Sequence, residues 1–157
     1  MRIAPRRENS VDAAETVAAE LEYALNKVGC KALVTSPALK SSDYLAILND
    51  LMPERESATP GKLKAGKIPE LRTVIRLGKD KTPGMLNFDD VATAGGNAEK
   101  AILADLAPKL QFDDAINIQF TSGTTGFPKG ATLSHHNILN NGYFVGEGLK
   151  LTPDDRL

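Results

Sequence analysis

The chain has 157 residues, 41% hydrophobic and 25% charged, with a formal net charge of −1. Those totals suit one globular domain and exclude a disordered chain. They also imply no general attraction to nucleic acid or to an acidic membrane. Cys30 is alone, so no internal disulfide framework exists and a reducing compartment fits. Its plain reading is a small buried apolar residue. No apolar run approaches the roughly 18 residues that a membrane span needs.

The opening residues, "MRIAPRRENS", hold three Arg before the first acid, Glu8. Without an apolar segment they do not form a secretory signal, and residues 1–11 read as an unstructured tail. Residues 12–28 then read as an amphipathic helix, because Val17, Leu21, Leu25 and Val28 recur at three- and four-residue spacing. Asp12 is placed to cap it and Gly29 to stop it. "CKALVTS" reads as a short strand closed by Pro37. "SSDYLAILNDLMP" returns to helical spacing through Tyr44, Ile47, Leu48 and Leu51, and Pro53 ends it. Residues 56–70, rich in Gly, Pro and Lys, read as a flexible loop. "LRTVIRLG" is a strand ending at Gly78, and a short helix is expected from Asp89 to Ala94. "NAEKAILADLAPKL" is a helix broken by Pro108. No internal repeat and no clear linker divides the chain. Helix and strand alternate from Asp12 to Gly78, which predicts an α/β fold, helices alternating with strands on a mostly parallel sheet.

The chemistry concentrates further on, in "FTSGTTGFPKGATLSHHN" at 120–137. Before it, "AINIQFTSG" alternates Ile116, Ile118 and Phe120 against Asn117, Gln119 and Thr121, as a half-buried strand would. After it, "GATLSH" alternates Ala131 and Leu133 against Thr132 and Ser134. The polar stretch is therefore a loop between two strands of a hairpin. Ser134 can N-cap a following helix, which Gly146 and Gly148 would weaken and end. Gly123, Gly126 and Gly130 allow positive φ or close approach to a ligand. Successive N–H groups in such a bend form an anion-binding nest. Thr121, Ser122, Thr124 and Thr125 add hydroxyl donors, and Lys129 adds a point charge suited to phosphate. Together these favour a polyphosphate. The hydrolase P-loop is a different device, since it needs Gly-Lys-Ser or Gly-Lys-Thr opening a helix. A Gly/Thr surface hairpin without a ligand is the alternative on composition alone. His135 and His136 are adjacent at a helix start, without the Cys or acid cluster that would complete a metal site, and read as helix-entry packing. A turn at Thr152 to Asp155 closes the chain.

The string "TSGTTGFPKGATLSHHN" resembles the phosphate-binding signature of the AMP-forming acyl- and aryl-CoA synthetases, the adenylate-forming superfamily. "ELEYALNKVGCKALV" and "DAINIQFTSGTTGFPKGATLSHHNILNNG" are similar to its medium-chain branch. The resemblance implies a two-step reaction. A fatty acid carboxylate attacks the α-phosphorus of ATP, giving acyl-AMP and pyrophosphate, and coenzyme A thiol then displaces AMP. Thr121, Ser122, Gly123, Thr124, Thr125, Gly126 and Lys129 would hold the β- and γ-phosphates with Mg²⁺, and Lys129 would stabilise the departing charge. ATP, Mg²⁺, coenzyme A and a fatty acid are the implied ligands. No nucleic-acid partner is implied, and no protein metal ligand is assigned. The family also implies an intracellular and mitochondrial protein, otherwise a cytoplasmic one.

Family members run to several hundred residues. Their aromatic/Thr-Glu motif, their ribose-binding Asp and the Lys of their small C-terminal domain have no match here. Residues 12–157 therefore read as a fragment of the AMP-binding N-terminal domain. The expectation is a ligase family member inactive by itself, with a non-catalytic phosphate-binding or interaction fragment as the alternative.

Overall fold

The computed structural model describes residues 10–40, 42–121 and 128–156, with the backbone alone for 10–15. It is an α/β structure whose residues group into two compact units, 1–95 and 96–157. The division at Gly95 and Gly96 is one that composition did not announce.

In the first unit, helix α1 runs Ser10–Lys27. It is already helical two residues before Asp12, so Asp12 lies within its first turn and is not its cap. Leu25 is buried and Leu21 packs on the core, whereas Val17 and Val28 stay exposed. Gly29 ends the helix at φ 59, with Cys30 N–H donating to Leu25 O at 2.9 Å and Gly29 N–H to Asn26 O at 3.2 Å. That paired pattern needs a left-handed residue after the helix, which glycine adopts without a Cβ clash. Cys30 is half-buried against the core, its thiol 3.1 Å from Ala32 O.

Strands β1 (Ala32–Thr35), β4 (Thr73–Arg76) and β5 (Leu86–Asn87) form a parallel sheet in the order β1-β4-β5. The register puts Thr35, Arg76 and Asn87 in one row. Between β1 and β4 lie a two-residue-per-strand hairpin, β2 (Ala38–Leu39) with β3 (Ser42–Asp43), and helix α2 (Tyr44–Leu51). Asp43 caps α2 by accepting from Ala46 N–H at 3.0 Å. Helix α3 (Phe88–Ala94) follows β5. The core is Leu25, Leu48, Leu51, Met52, Leu63, Ile68, Leu71, Val74 and Met85 with their neighbours.

Residues 56–70 are irregular, as expected, but they are not a loose loop. Leu63, Ala65 and Ile68 are buried in the core. Glu54 accepts from Gly66 N–H at 3.1 Å, and Asn26 donates to Lys67 O at 2.9 Å. The Gly and Pro content sets the bends, and the apolar residues between them hold the segment down.

The second unit holds α4 (Asn97–Leu106), a 3-10 turn Ala107–Lys109, strands β6 (Ala115–Thr121) and β7 (Lys129–Ser134), and α5 (His135–Leu149). Pro108 ends α4 as expected, because it cannot donate a helical hydrogen bond. Helix α5 continues past Gly146 and Gly148 and stops at Lys150, which takes the left-handed conformation. Among the described residues of this unit only Ser134 is buried.

Candidate functional site

Strands β6 and β7 pair antiparallel, Thr121 with Lys129, Phe120 with Gly130, Gln119 with Ala131, Ile118 with Thr132 and Asn117 with Leu133. Ile116 is the extra residue of a bulge between Ala115 and Asn117. Cross-strand partners share a face. Ile118 and Phe120 therefore lie with Thr132 and Gly130, while Ala131 and Leu133 lie with Gln119 and Asn117. Each strand alternates as its sequence says, but the register matches apolar positions with polar ones. The expected half-buried β6 is instead exposed almost throughout, with Ile116 and Ile118 both 44% exposed.

Of the predicted phosphate-binding residues, Thr121 and Lys129 are the two that the described hairpin places. Thr121 and Lys129 are the last ladder pair, both exposed, with Thr121 Oγ1 3.5 Å from Lys129 O. Pro128 leads into β7. Ser122, Gly123, Thr124, Thr125 and Gly126 lie outside the described residues. Gly130 is favoured by close approach rather than by φ. A Cβ there would sit 3.1 Å from Ile118 Cγ2 and 3.6 Å from Phe120 Cε1. From Ala115 to Gly146 the sequence has no Asp or Glu, and Lys129 is its only Lys or Arg. The strands that present the loop thus bring no anion of their own to compete for Lys129. Hydroxyl and ammonium groups without acids are a composition suited to phosphate oxygens.

The opposite end of the hairpin is fastened to α5. Ser134 Oγ accepts from Asn137 N–H at 3.3 Å, and the Asn137 side-chain oxygen accepts from Ser134 N–H at 3.0 Å. This reciprocal cap satisfies two helix-start donors. His136 packs edge-on against Phe112, ring centres 5.3 Å apart, and its Nδ1 lies 2.9 Å from Asp113 Oδ1. Its own N–H donates to Phe112 O at 3.1 Å. His136 is thus a helix-entry residue, as expected. The Asp113 pairing was not legible, because nothing in the local pattern links residues 23 positions apart. His135 is exposed. Among the described residues no group of three or more His, Cys, Asp or Glu could hold a metal ion.

The family model for AMP-binding enzymes matches residues 13–157. The chain belongs to the AMP-binding enzyme family. It is similar to the mitochondrial medium-chain acyl-CoA ligase ACSF2 of Danio rerio, 51% identical over 127 residues, covering 81% of this chain and 21% of that protein. To ACSF2 of Homo sapiens it is 51% identical over 143 residues, covering 87% of this chain and 23% of the relative. ACSF2 of Bos taurus is 50% identical over 144 residues, covering 88% and 23%. The chain therefore spans about a fifth to a quarter of the length of these relatives. The α/β architecture agrees with a partial AMP-binding domain.

Proposed function

We propose that this chain is a segment of an ATP-dependent fatty acyl-CoA ligase, and that its β6–β7 tip holds the β- and γ-phosphates of Mg·ATP. The observation that carries the reading is half-identity to medium-chain acyl-CoA ligases over more than four-fifths of the chain. The donor-rich, acid-free hairpin supports it from the side of chemistry. When bound, Mg·ATP would supply the electrophilic phosphorus and the pyrophosphate leaving group. The chain's own part is electrostatic. Thr121, Ser122, Gly123, Thr124, Thr125 and Gly126 would offer hydroxyl and N–H donors, and Lys129 would face charge that grows as pyrophosphate departs. Such preorganised donors act mainly on rate. Coenzyme A and a medium-chain fatty acid are the remaining substrates on this reading, and mitochondria the compartment, by analogy with the relatives' names.

The test has two arms. Pyrophosphate or Mg·ATP titrated against labelled protein moves amide signals of Gly123 to Gly126 first; shifts elsewhere with that loop silent refute the site. In a complete homologue, Lys129→Ala lowers the adenylation rate on the order of 10²–10³-fold, the cost of losing one such donor. An unchanged kcat with a raised KM for the fatty acid refutes the role. The 157 residues alone are expected to release no pyrophosphate from ATP with octanoate and coenzyme A, because groups that act as a unit are far from additive.

A further inference from the structure

The net charge of −1 conceals a segregated basic face in the first unit. Residues 62–68, "KLKAGKI", alternate in a way that their composition does not reveal. Leu63, Ala65 and Ile68 are inserted into the core, and Lys62, Lys64 and Lys67 are exposed. The core residues act as anchors and the lysines are held outward on a fixed backbone. Two neighbouring segments extend the face. Asn26, beside the exposed Lys27, donates to Lys67 O at 2.9 Å. Leu63 N–H donates to Arg72 O at 2.9 Å, and Arg72 N–H to the carbonyl of the exposed Lys31 at 3.0 Å.

Residues 26–31 and 61–72 thus carry five Lys and one Arg against one acid of their own, Glu70, with Glu22 lining a groove beside Asn26 and Lys27. Glu54, the carboxylate that reaches this segment, is occupied by Gly66 N–H. Its pKa is held below the ordinary carboxylate value by that hydrogen bond first, with Lys67 adding to the effect. The ion pairs of the described residues are Arg76–Asp80, Lys109–Asp105 and His136–Asp113, so none involves these six cations.

We propose that this face docks on an anionic phospholipid surface. Two features favour lipid over nucleic acid. The two segments contain no aromatic residue, so they lack the stacking platforms that single-stranded nucleic acid uses. The cations are mostly lysines on flexible stems, which suit a diffuse anionic surface rather than a bidentate one. The choice of a bilayer also rests on the fatty-acid reading above, since such substrates partition into lipid.

The experiment is vesicle co-sedimentation of the 157-residue chain without ATP or coenzyme A, so a failed ligase assay leaves its result standing. Vesicles of phosphatidylcholine with phosphatidylglycerol are compared with phosphatidylcholine alone. Binding is expected to the anionic vesicles only, and to weaken as salt rises. The triple variant K62Q/K64Q/K67Q is expected to lose roughly fivefold per lysine, on the order of a hundredfold in all. A charge-matched control, K79Q/K81Q/K100Q, also alters exposed lysines and is expected to change little. Circular dichroism checks that both variants fold. Equal losses in the two variants, equal binding to neutral vesicles, no binding to the anionic ones, or stronger binding to an RNA homopolymer than to anionic vesicles would each overturn the proposal.

Discussion

Gly84→Ala should be among the most damaging single-methyl changes in the first unit. Gly84 sits at φ 71, and a Cβ built there would lie 1.8 Å from Arg55 O and 2.8 Å from Arg55 C. The obstructing atoms are backbone, so no rotamer change relieves them. Holding an L-residue in the left-handed region costs roughly 1–2 kcal/mol. Forcing the two segments apart costs about as much as overpacking a core, roughly 1–3 kcal/mol. The sum is about 3 kcal/mol, a large share of a total stability of about 5–15 kcal/mol. Two other glycines separate the causes. Gly61 has φ 80 with nothing within 4 Å of its Cβ position, so Gly61→Ala meets the conformational cost alone. Gly95, at φ −71 and equally open, meets neither, and alanine there should be neutral or stabilising by about 0.4–1 kcal/mol. Urea unfolding followed by circular dichroism measures all three. With a slope of about 1.5 kcal/mol/M, Gly84→Ala lowers the midpoint by roughly 2 M. Gly84→Ala and Gly61→Ala agreeing within about 0.5 kcal/mol would refute the steric half of the reasoning.

Further outcomes follow from particular side chains. Arg55 is 2% exposed, donates to Pro83 O and Asn49 Oδ1, leaves Nε without a partner, and has its pKa pushed down by burial. Arg55→Ala should cost about 2–4 kcal/mol, through the cavity and two stranded acceptors, and Arg55→Met distinctly less; the same urea series measures both, and equal losses would show that volume does not matter there. Ser134→Ala removes the α5 cap and should cost about 1 kcal/mol, read from hydrogen exchange of the first turn of α5. Glu54 has a folded-state pKa below its unfolded value, so its contribution is present above the ordinary carboxylate range and lost as pH falls through the lower folded value. The stability gap between the wild type and Glu54→Gln should therefore close on acidification below about pH 4.5; a gap that persists in acid would refute the linkage.

The local signals in the sequence were sufficient where one element decides its own conformation. Gly29 stops α1, Ser134 supplies a cap and Pro108 ends α4, each within one turn of chain, whereas Asp12 does not form the cap expected of it and the cap at Asp43 was not expected. The parallel pairing of β1 with β4 followed from alternation, whereas β5, which completes the sheet, was not expected. What stayed hidden depends on partners distant in sequence. The alternations of β6 and β7 were both legible, but only the register decides that Phe120 faces Gly130, and so whether the hairpin has an apolar side. Residues 56–70 looked loose because Gly and Pro are local signals, whereas the burial of Leu63 and Ile68 depends on elements elsewhere in the chain. At the candidate site, residue types leave a phosphate loop and a ligand-free hairpin both open, the family resemblance favours the first, and the structure adds the pairing of Thr121 with Lys129.

The bulge at Ile116 has a consequence for where this hairpin can tolerate a change in length. Seven residues of β6 face six of β7, and the surplus is absorbed at the end nearest α5, between Ala115 and Asn117. From Asn117 to Thr121 every residue has its partner. Deleting Ile116 would straighten the base and leave the five pairs toward the tip in step. Deleting Gln119 instead would shift all that follows by one, turning Phe120 and Thr121 to opposite faces. The base of the hairpin can therefore accept the loss of one residue that the ladder from Asn117 to Thr121 cannot.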